Sequence, residues 1–219
     1  MSDLEAWRAK VEALLREVGH PQGPVTTEYL VMLTGLVGTT IAPWMQFYQQ
    51  ASIVEKGVRM KISSWTRHDH NTMPPAAKTV GNYVNSSLAK VEALKAGYDE
   101  AIMLAPNGLV AECTGENIFA VRNGVILTPP LSAGALEGIT QSSVTKIARD
   151  LGFDIRVDNI ARSDLYIADE IFVCGTAAEV GSVSSVDDRK VPCPGPMTKA
   201  IAATYAKCKF LWHTKSSYT

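Results

Sequence analysis

Leu109-Val110-Ala111-Glu112-Cys113-Thr114-Gly115-Glu116-Asn117-Ile118-Phe119-Ala120-Val121-Arg122-Asn123-Gly124-Val125-Ile126-Leu127-Thr128 is the stretch that decides the fold class. It holds short apolar runs at Leu109 to Cys113, Asn117 to Arg122 and Val125 to Thr128, each of strand length and bounded by turn residues. A further run, Tyr98 to Leu104, precedes them. Asn107-Gly108 and Asn123-Gly124 punctuate the series, and Asn-Gly is the favoured pair for tight hairpins because both residues accept positive φ. Hairpins, not crossovers, therefore dominate the middle of the chain.

Upstream, Arg59 to Trp65 alternates Met60, Ile62 and Ser64 against Lys61 and Ser63, which predicts a strand. After a polar loop with Pro74 and Pro75, residues 82–96 predict a helix stopped by Gly97, with Tyr83, Leu88, Val91 and Leu94 facing inward. Downstream, residues 138–151 predict a helix ending at Gly152. Asp154 to Val157 predicts a strand, Ser163 to Ala168 a short helix capped by Ser163, Glu170 to Cys174 a strand and Lys199 to Lys207 a closing helix. Residues 2–18 predict an amphipathic helix with Ser2 and Glu5 as a capping box, and Tyr29 to Met45 reads as strand and loop. Mixed strands, hairpins and scattered helices indicate an α+β (mixed α/β) architecture, not a doubly wound sheet.

The 219 residues, 46% hydrophobic and 20% charged, suffice for a real core. Twenty-one basic against 22 acidic side chains give a formal charge of −1, which offers no footprint for nucleic acid or an anionic membrane surface. No apolar run approaches the roughly 20 residues that span a bilayer. Asp3, Glu5, Glu12 and Glu17 are unlike a secretory signal, so a cytoplasmic protein is expected. Cys113, Cys174, Cys193 and Cys208 form no CxxC pair and are expected as reduced thiols. His68 and His70 flank Asp69 in a loop with no evident third ligand, so no metal is expected.

Four features carry possible chemistry. Lys78, in Pro74-Pro75-Ala76-Ala77-Lys78, has apolar neighbours that disfavour an ammonium and suit an amine nucleophile or Schiff base; otherwise it is a surface lysine. Glu112 lies inside an apolar run, so it either pairs with a cation or faces water on an alternating strand. Gly138-Ile139-Thr140 opens a helix whose free N–H groups and hydroxyl could cradle a phosphate, or simply cap the helix. Gly175-Thr176-Ala177-Ala178 follows a strand, with side chains small enough for close backbone approach to a ligand. Together an amine, a carboxylate and two hydroxyl-bearing turns suit pyridoxal phosphate.

The runs Ala76 to Tyr83, Glu92 to Ala101, Val110 to Phe119, Thr128-Pro129-Pro130 with Leu136 to Thr140, and Ala168 through Glu179 resemble, in order and spacing, the class IV (fold type IV) pyridoxal-phosphate-dependent aminotransferases, nearest the branched-chain group. The resemblance implies pyridoxal 5′-phosphate as cofactor, transamination of branched-chain L-amino acids with 2-oxoglutarate, and a homodimer. It implies Lys78 as the Schiff-base lysine and proton shuttle, Glu112 as partner of the protonated ring nitrogen, and Tyr83 as hydrogen-bond partner of the phenolic oxygen. Ile139, Thr140 and Thr176 would hold the phosphate, and Leu136 would press on a ring face. Trp65, Thr176, Ala177 and Ala178 would meet the substrate. Residues 51–219 would form the cofactor-binding large domain, and 1–50 a remnant of the smaller one.

That smaller domain supplies the family's phosphate-binding arginine, which has no counterpart here. Tyr29-Leu30-Val31 stands where the family commonly has Tyr-x-Arg. The alternatives on the same resemblance are a truncated, weak or inactive cofactor-binding homologue, or an enzyme like D-amino-acid aminotransferases or aminodeoxychorismate lyases.

Overall fold

A computed structural model describes residues 57–215. The helix expected over residues 2–18, the segment 29–45 and the Tyr29-Leu30-Val31 comparison lie outside the described residues.

The elements run β1 (Val58–Thr66), α1 (Asn82–Lys95), β2 (Glu100–Leu104), β3 (Val110–Cys113), β4 (Asn117–Arg122), β5 (Val125–Thr128) and a 3₁₀ turn at Leu131–Ala133. There follow α2 (Ile139–Asp150), β6 (Asp154–Val157), α3 (Arg162–Leu165), β7 (Glu170–Gly175), β8 (Glu179–Val186), β9 (Arg189–Lys190) and α4 (Pro196–Lys215). The strands make one sheet in the order β3-β2-β1-β8-β7-β4-β5-β6, with β9 on β8. Parallel pairs β1–β2, β1–β8 and β5–β6 share the sheet with antiparallel ones, which is the mixed architecture expected. The sheet curls: edge strand β3 returns towards β4 through the turn 114–116, where Cys113 N–H donates to Glu116 O at 2.9 Å.

Both Asn-Gly pairs turn hairpins, by different geometry. Asn123 (φ 48°) and Gly124 (φ 77°) form the two-residue turn between β4 and β5, with Arg122 paired to Val125. Between β2 and β3 only Gly108 takes positive φ (83°), in a longer loop closed by Gly108 N–H to Ala105 O and Ala105 N–H to Leu109 O.

Strand periodicity explains the core. On β4, Ile118 and Ala120 face a cluster with Met60, Ile62, Ile102, Ile171, Val173 and Val183 within the curl. Phe119 and Val121 face the other way, onto Val144 and Ile147 of α2 and Ile201 of α4. Strands covered on both faces read as continuous apolar runs, which is why β4 shows no alternation in sequence.

The faces of α1 are the reverse of those expected. Tyr83, Leu88, Val91 and Leu94 are 43, 42, 48 and 54% exposed, while Asn82, Asn85, Ser86, Ala89 and Ala93 are buried. Small side chains let α1 approach β1 and β2 closely, and its polar ones have partners there: Asn85 donates to Thr66 O at 3.0 Å. On β1 the expected alternation fails past Ile62, because the pairing with β2 shifts register before Thr66; Ser63 is buried and Ser64 exposed. The α3 cap is not Ser163 but Ala161, whose N–H is bound by Asp164 Oδ2 at 2.8 Å. Strands β8 and β9 have no counterpart in the sequence reading. Asp187 (φ 47°) and Asp188 (φ 63°) turn their hairpin, a weaker signal than Asn-Gly. The closing helix is longer than expected, from Pro196 to Lys215.

Two buried or half-buried carboxylates hold helices to the sheet. Glu170 on β7 accepts from Met197 N–H (3.1 Å), Thr198 N–H (2.9 Å) and Thr198 Oγ1 (2.7 Å), closing the N-terminus of α4. Gly195 precedes that helix because a Cβ there would overlap the Glu170 carboxyl carbon at 1.9 Å. Glu170→Ala is expected to cost about 2–3 kcal/mol, read as a lower denaturant midpoint at unchanged slope.

Glu92 on α1 accepts from Lys61 Nζ (2.9 Å), Ser63 Oγ (2.6 Å) and Ser64 N–H (3.0 Å). Burial alone would raise its carboxyl, but the bonds from Ser63, Lys61 and Ser64 outweigh it and hold the group at about 2 instead of 4.5. A depressed folded value stabilises above the unfolded one and is lost as pH falls. This contribution, about 1–2 kcal/mol after solvent screening, is therefore full above pH 4.5 and disappears towards pH 2. Urea midpoints from pH 6 to pH 2 are expected to fall less steeply in Glu92→Gln.

Candidate active site

A small cleft lies between the start of α1, β3 and the loop before α2, lined by Arg67, Lys78, Tyr83, Glu112, Glu116 and Leu136 among others. Lys78, Tyr83, Glu112 and Leu136, singled out from sequence, thus come together from four separate segments.

Lys78 is exposed, not enclosed by apolar neighbours as its local sequence suggested; the wall it shares is polar. Its loop is nevertheless held. Asn82, buried at the first turn of α1, donates through Nδ2 to Pro74 O (3.1 Å) and Ala77 O (2.6 Å), the two ends of the Pro-Pro-Ala-Ala run before the lysine. Tyr83 follows on the open side of the helix and lines the same cleft.

Glu112 does not face water. All four residues of β3 are buried, Glu112 at 5% exposure, and the carboxylate has a partner on each oxygen. Oε1 pairs with the guanidinium of Arg67, itself 7% exposed and just beyond β1. Oε2 accepts from Leu136 N–H at 2.9 Å and from Asn117 Nδ2 at 3.4 Å. Burial pushes the Glu112 carboxyl up, and the Arg67 charge and the Leu136 N–H oppose that rise. Arg67 was not legible in the sequence: its partner is 45 positions away, and Trp65-Thr66-Arg67-His68 looks like any polar exit from a strand.

Asn117 ties this carboxylate to α2. Its Nδ2 also donates to Leu136 O (2.9 Å), and a Cβ on Gly138 would lie 2.2 Å from its Oδ1, so only glycine fits as the N-cap of α2. Gly138 is extended (φ −81°, ψ 132°) and makes no side-chain cap, while Ile139 is 88% exposed and Thr140 buried. Ile139 and Thr140 do not line the Lys78 cleft themselves; the start of α2 adjoins it through Leu136 and through the Gly138–Asn117 approach. Gln141 Nε2 secures the first turn of α2 to Thr128 Oγ1 at 3.0 Å.

Thr176, Ala177 and Ala178 form the hairpin turn between β7 and β8, closed by the Gly175–Glu179 pair. Ala177 and Ala178 line a second, larger cavity. Glu116, which sequence reasoning passed over, borders both spaces. A Cβ on Gly175 would lie 3.3 Å from Gly115 O and 3.5 Å from Glu116 Cγ, so the two turns lie in close contact. Burial and the neighbouring Glu100 raise the Glu116 carboxyl to about 7. Trp65 is 44% exposed and does not line the Lys78 cleft. His70 Nε2 lies 3.1 Å from Ser132 O, and no group of three or more His, Cys, Asp or Glu able to hold a metal occurs among the described residues. No helix among them is long and apolar enough to cross a membrane.

The arrangement offers an amine, a phenol and a cation-backed carboxylate around one space, with a helix N-terminus alongside. Comparison with known proteins agrees with this chemistry. Residues 2–186 match the family model described as Amino-transferase class IV. A probable branched-chain-amino-acid aminotransferase of Aquifex aeolicus (strain VF5) is 50% identical over 153 residues, 68% of this chain and 49% of that protein. The crystal structure of the Escherichia coli branched-chain amino acid aminotransferase superposes with a TM-score of 0.71 at 44% identity, covering 73% of this chain and 53% of that one. The branched-chain amino acid aminotransferase from Thermobaculum terrenum, in its PLP-bound holo-form, gives 0.68 at 40% identity, over 69% and 50%. The chain spans about half the length of the curated relatives it matches. The fold is that of the fold type IV aminotransferases.

Proposed function

The chain belongs to the class IV amino-transferase family, and from this we propose that it carries the pyridoxal 5′-phosphate chemistry of an aminotransferase, moving the amino group of branched-chain L-amino acids to 2-oxoglutarate. One observation supports the reading above the rest: Lys78 and the buried, cation-backed Glu112 line the same cleft. The donor set suits the cofactor. Lys78 supplies the amine for its aldehyde, Glu112 an anion for its ring nitrogen, Tyr83 a phenol for its ring oxygen and Leu136 an apolar contact for a ring face. The N–H groups of Ile139 and Thr140, with the hydroxyls of Thr140 and Thr176, suit its phosphate. When bound, the cofactor supplies an electron sink for the charge left at Cα when a proton is removed.

The chain's own residues do the rest. The Lys78 amine would take that proton from Cα and deliver it to the cofactor's C4′. Glu112, fixed on both oxygens, holds the balancing negative charge without reorganising. Tyr83 steadies the charge on the phenolic side. The backbone of Ala177 and Ala178, at the cavity that shares Glu116 with the cleft, receives the substrate carboxylate. Residues 51–219 act as the cofactor-binding large domain of a cytoplasmic homodimer; the uncovered apolar row Val84, Leu88, Val91 and Leu94 on α1 supports the dimer.

The test is direct. Purified protein is mixed with pyridoxal phosphate, L-leucine and 2-oxoglutarate, and glutamate is measured beside the visible spectrum. Glutamate formation together with a borohydride-sensitive visible band is expected; neither appearing would overturn the proposal. L-leucine is expected to outpace D-alanine and aminodeoxychorismate.

A further inference from the structure

Resting on that reading, we propose that Arg67 is a positioning residue that acts through Glu112, settling the shared proton of the carboxylate–ring-nitrogen hydrogen bond on the ring. A carboxylate facing a pyridine nitrogen shares one proton with it, and the proton resides on whichever group holds it more tightly. A buried carboxyl holds its proton tightly, because burial penalises the charged form. Left alone, Glu112 would keep it and present a neutral acid to a neutral ring. The fixed charge of Arg67 on Oε1 works against that hold and tips the shared proton towards the ring, with the Leu136 N–H on Oε2 assisting.

The placement of Arg67 fits this role. Its guanidinium bonds Glu112 on β3, donates to Ser86 Oγ of α1 at 2.8 Å, and reaches Gly134 O from Nε at 3.4 Å. It therefore links the strand carrying the carboxylate, the helix carrying Tyr83 and the loop carrying Leu136. Gly134 takes positive φ (92°), and a Cβ there would lie 3.3 Å from Arg67 Cγ, so that loop is shaped around the arginine. Arginine cannot yield its proton to a buried carboxylate, and its rigid fork serves several acceptors at once.

The full chain is loaded with pyridoxal phosphate labelled with ¹⁵N in the ring, and the ring-nitrogen resonance is recorded for wild type, R67K and R67Q. The resonance is expected at its protonated position in wild type and R67K, and displaced towards neutral pyridine in R67Q. In parallel, pyridoxal phosphate affinity is measured across R67Q, E112Q and the double variant. R67Q is expected to weaken binding about ten- to a hundredfold when Glu112 is present and less than about threefold in the E112Q background. Should R67Q not fold, the R67M and E112Q cycle reads the same coupling, with non-additive losses expected. An undisplaced resonance in R67Q, or losses that simply add, overturns the proposal while leaving the functional reading in place. A wild-type chain that takes up no pyridoxal phosphate removes both.

Discussion

Replacing Lys78 with alanine is expected to remove glutamate formation from L-leucine and 2-oxoglutarate by about 10⁴-fold or more, and to abolish the borohydride-sensitive band. The lysine has two tasks in the proposed reaction: it provides the covalent anchor, and its amine moves the proton between carbons. Losing a general base alone typically costs 10²–10⁴-fold, and losing the nucleophile adds to it. Lys78 is exposed on a loop held through Asn82, so the substitution leaves the core untouched. The melting temperature of the cofactor-free protein is therefore expected to stay within about 1–2 °C, the scale of a neutral surface change. Glu112→Gln is the informative companion. It keeps the shape and loses the charge, so turnover is expected to fall about 10²–10³-fold while the visible band persists. If K78A retained wild-type turnover, the amine would have no part in the chemistry.

The second large effect is one of stability. Phe119 and Phe172 lie opposite each other on β4 and β7, both fully buried, with ring centroids 4.7 Å apart and planes within 7°. They fill the layer between the sheet and helices α2 and α4. Phe172→Ala is expected to cost about 3–5 kcal/mol, the lost transfer energy plus the cavity that neighbouring strands cannot close. For a domain of this size that is a fall of roughly 10–15 °C in melting temperature. Phe172→Leu, which keeps most of the volume, is expected to cost about 1.5 kcal/mol or less. The same strands carry Asn117 at the start of β4 and Gly175 at the end of β7, so the alanine variant is also expected to bind pyridoxal phosphate more weakly.

What could be read from sequence follows the range of the forces involved. Hairpins at Asn107-Gly108 and Asn123-Gly124, the stops at Gly97 and Gly152, and the runs β4 and β5 depend on residues near in sequence, and they were legible. The inward face of α1 was not, because size and hydropathy along the helix point to its large apolar side chains as the buried ones. The close packing against β1 and β2 instead selects Ala89, Ala93, Asn85 and Ser86. The turn of register beyond Ile62 likewise depends on β2.

At the candidate site the residue types were readable and their state was not. An amine at 78, a phenol at 83 and a carboxylate at 112 stand in the sequence as motif positions. Whether Glu112 meets water or a cation is settled only when the end of β1 is laid beside β3, bringing Arg67 against Oε1 and the loop before α2 against Oε2. Local sequence can specify which groups are available and where the backbone turns, since those depend on neighbours along the chain. The charge state and orientation of a buried group depend on desolvation and on partners tens of positions away, and those exist only once the chain has folded.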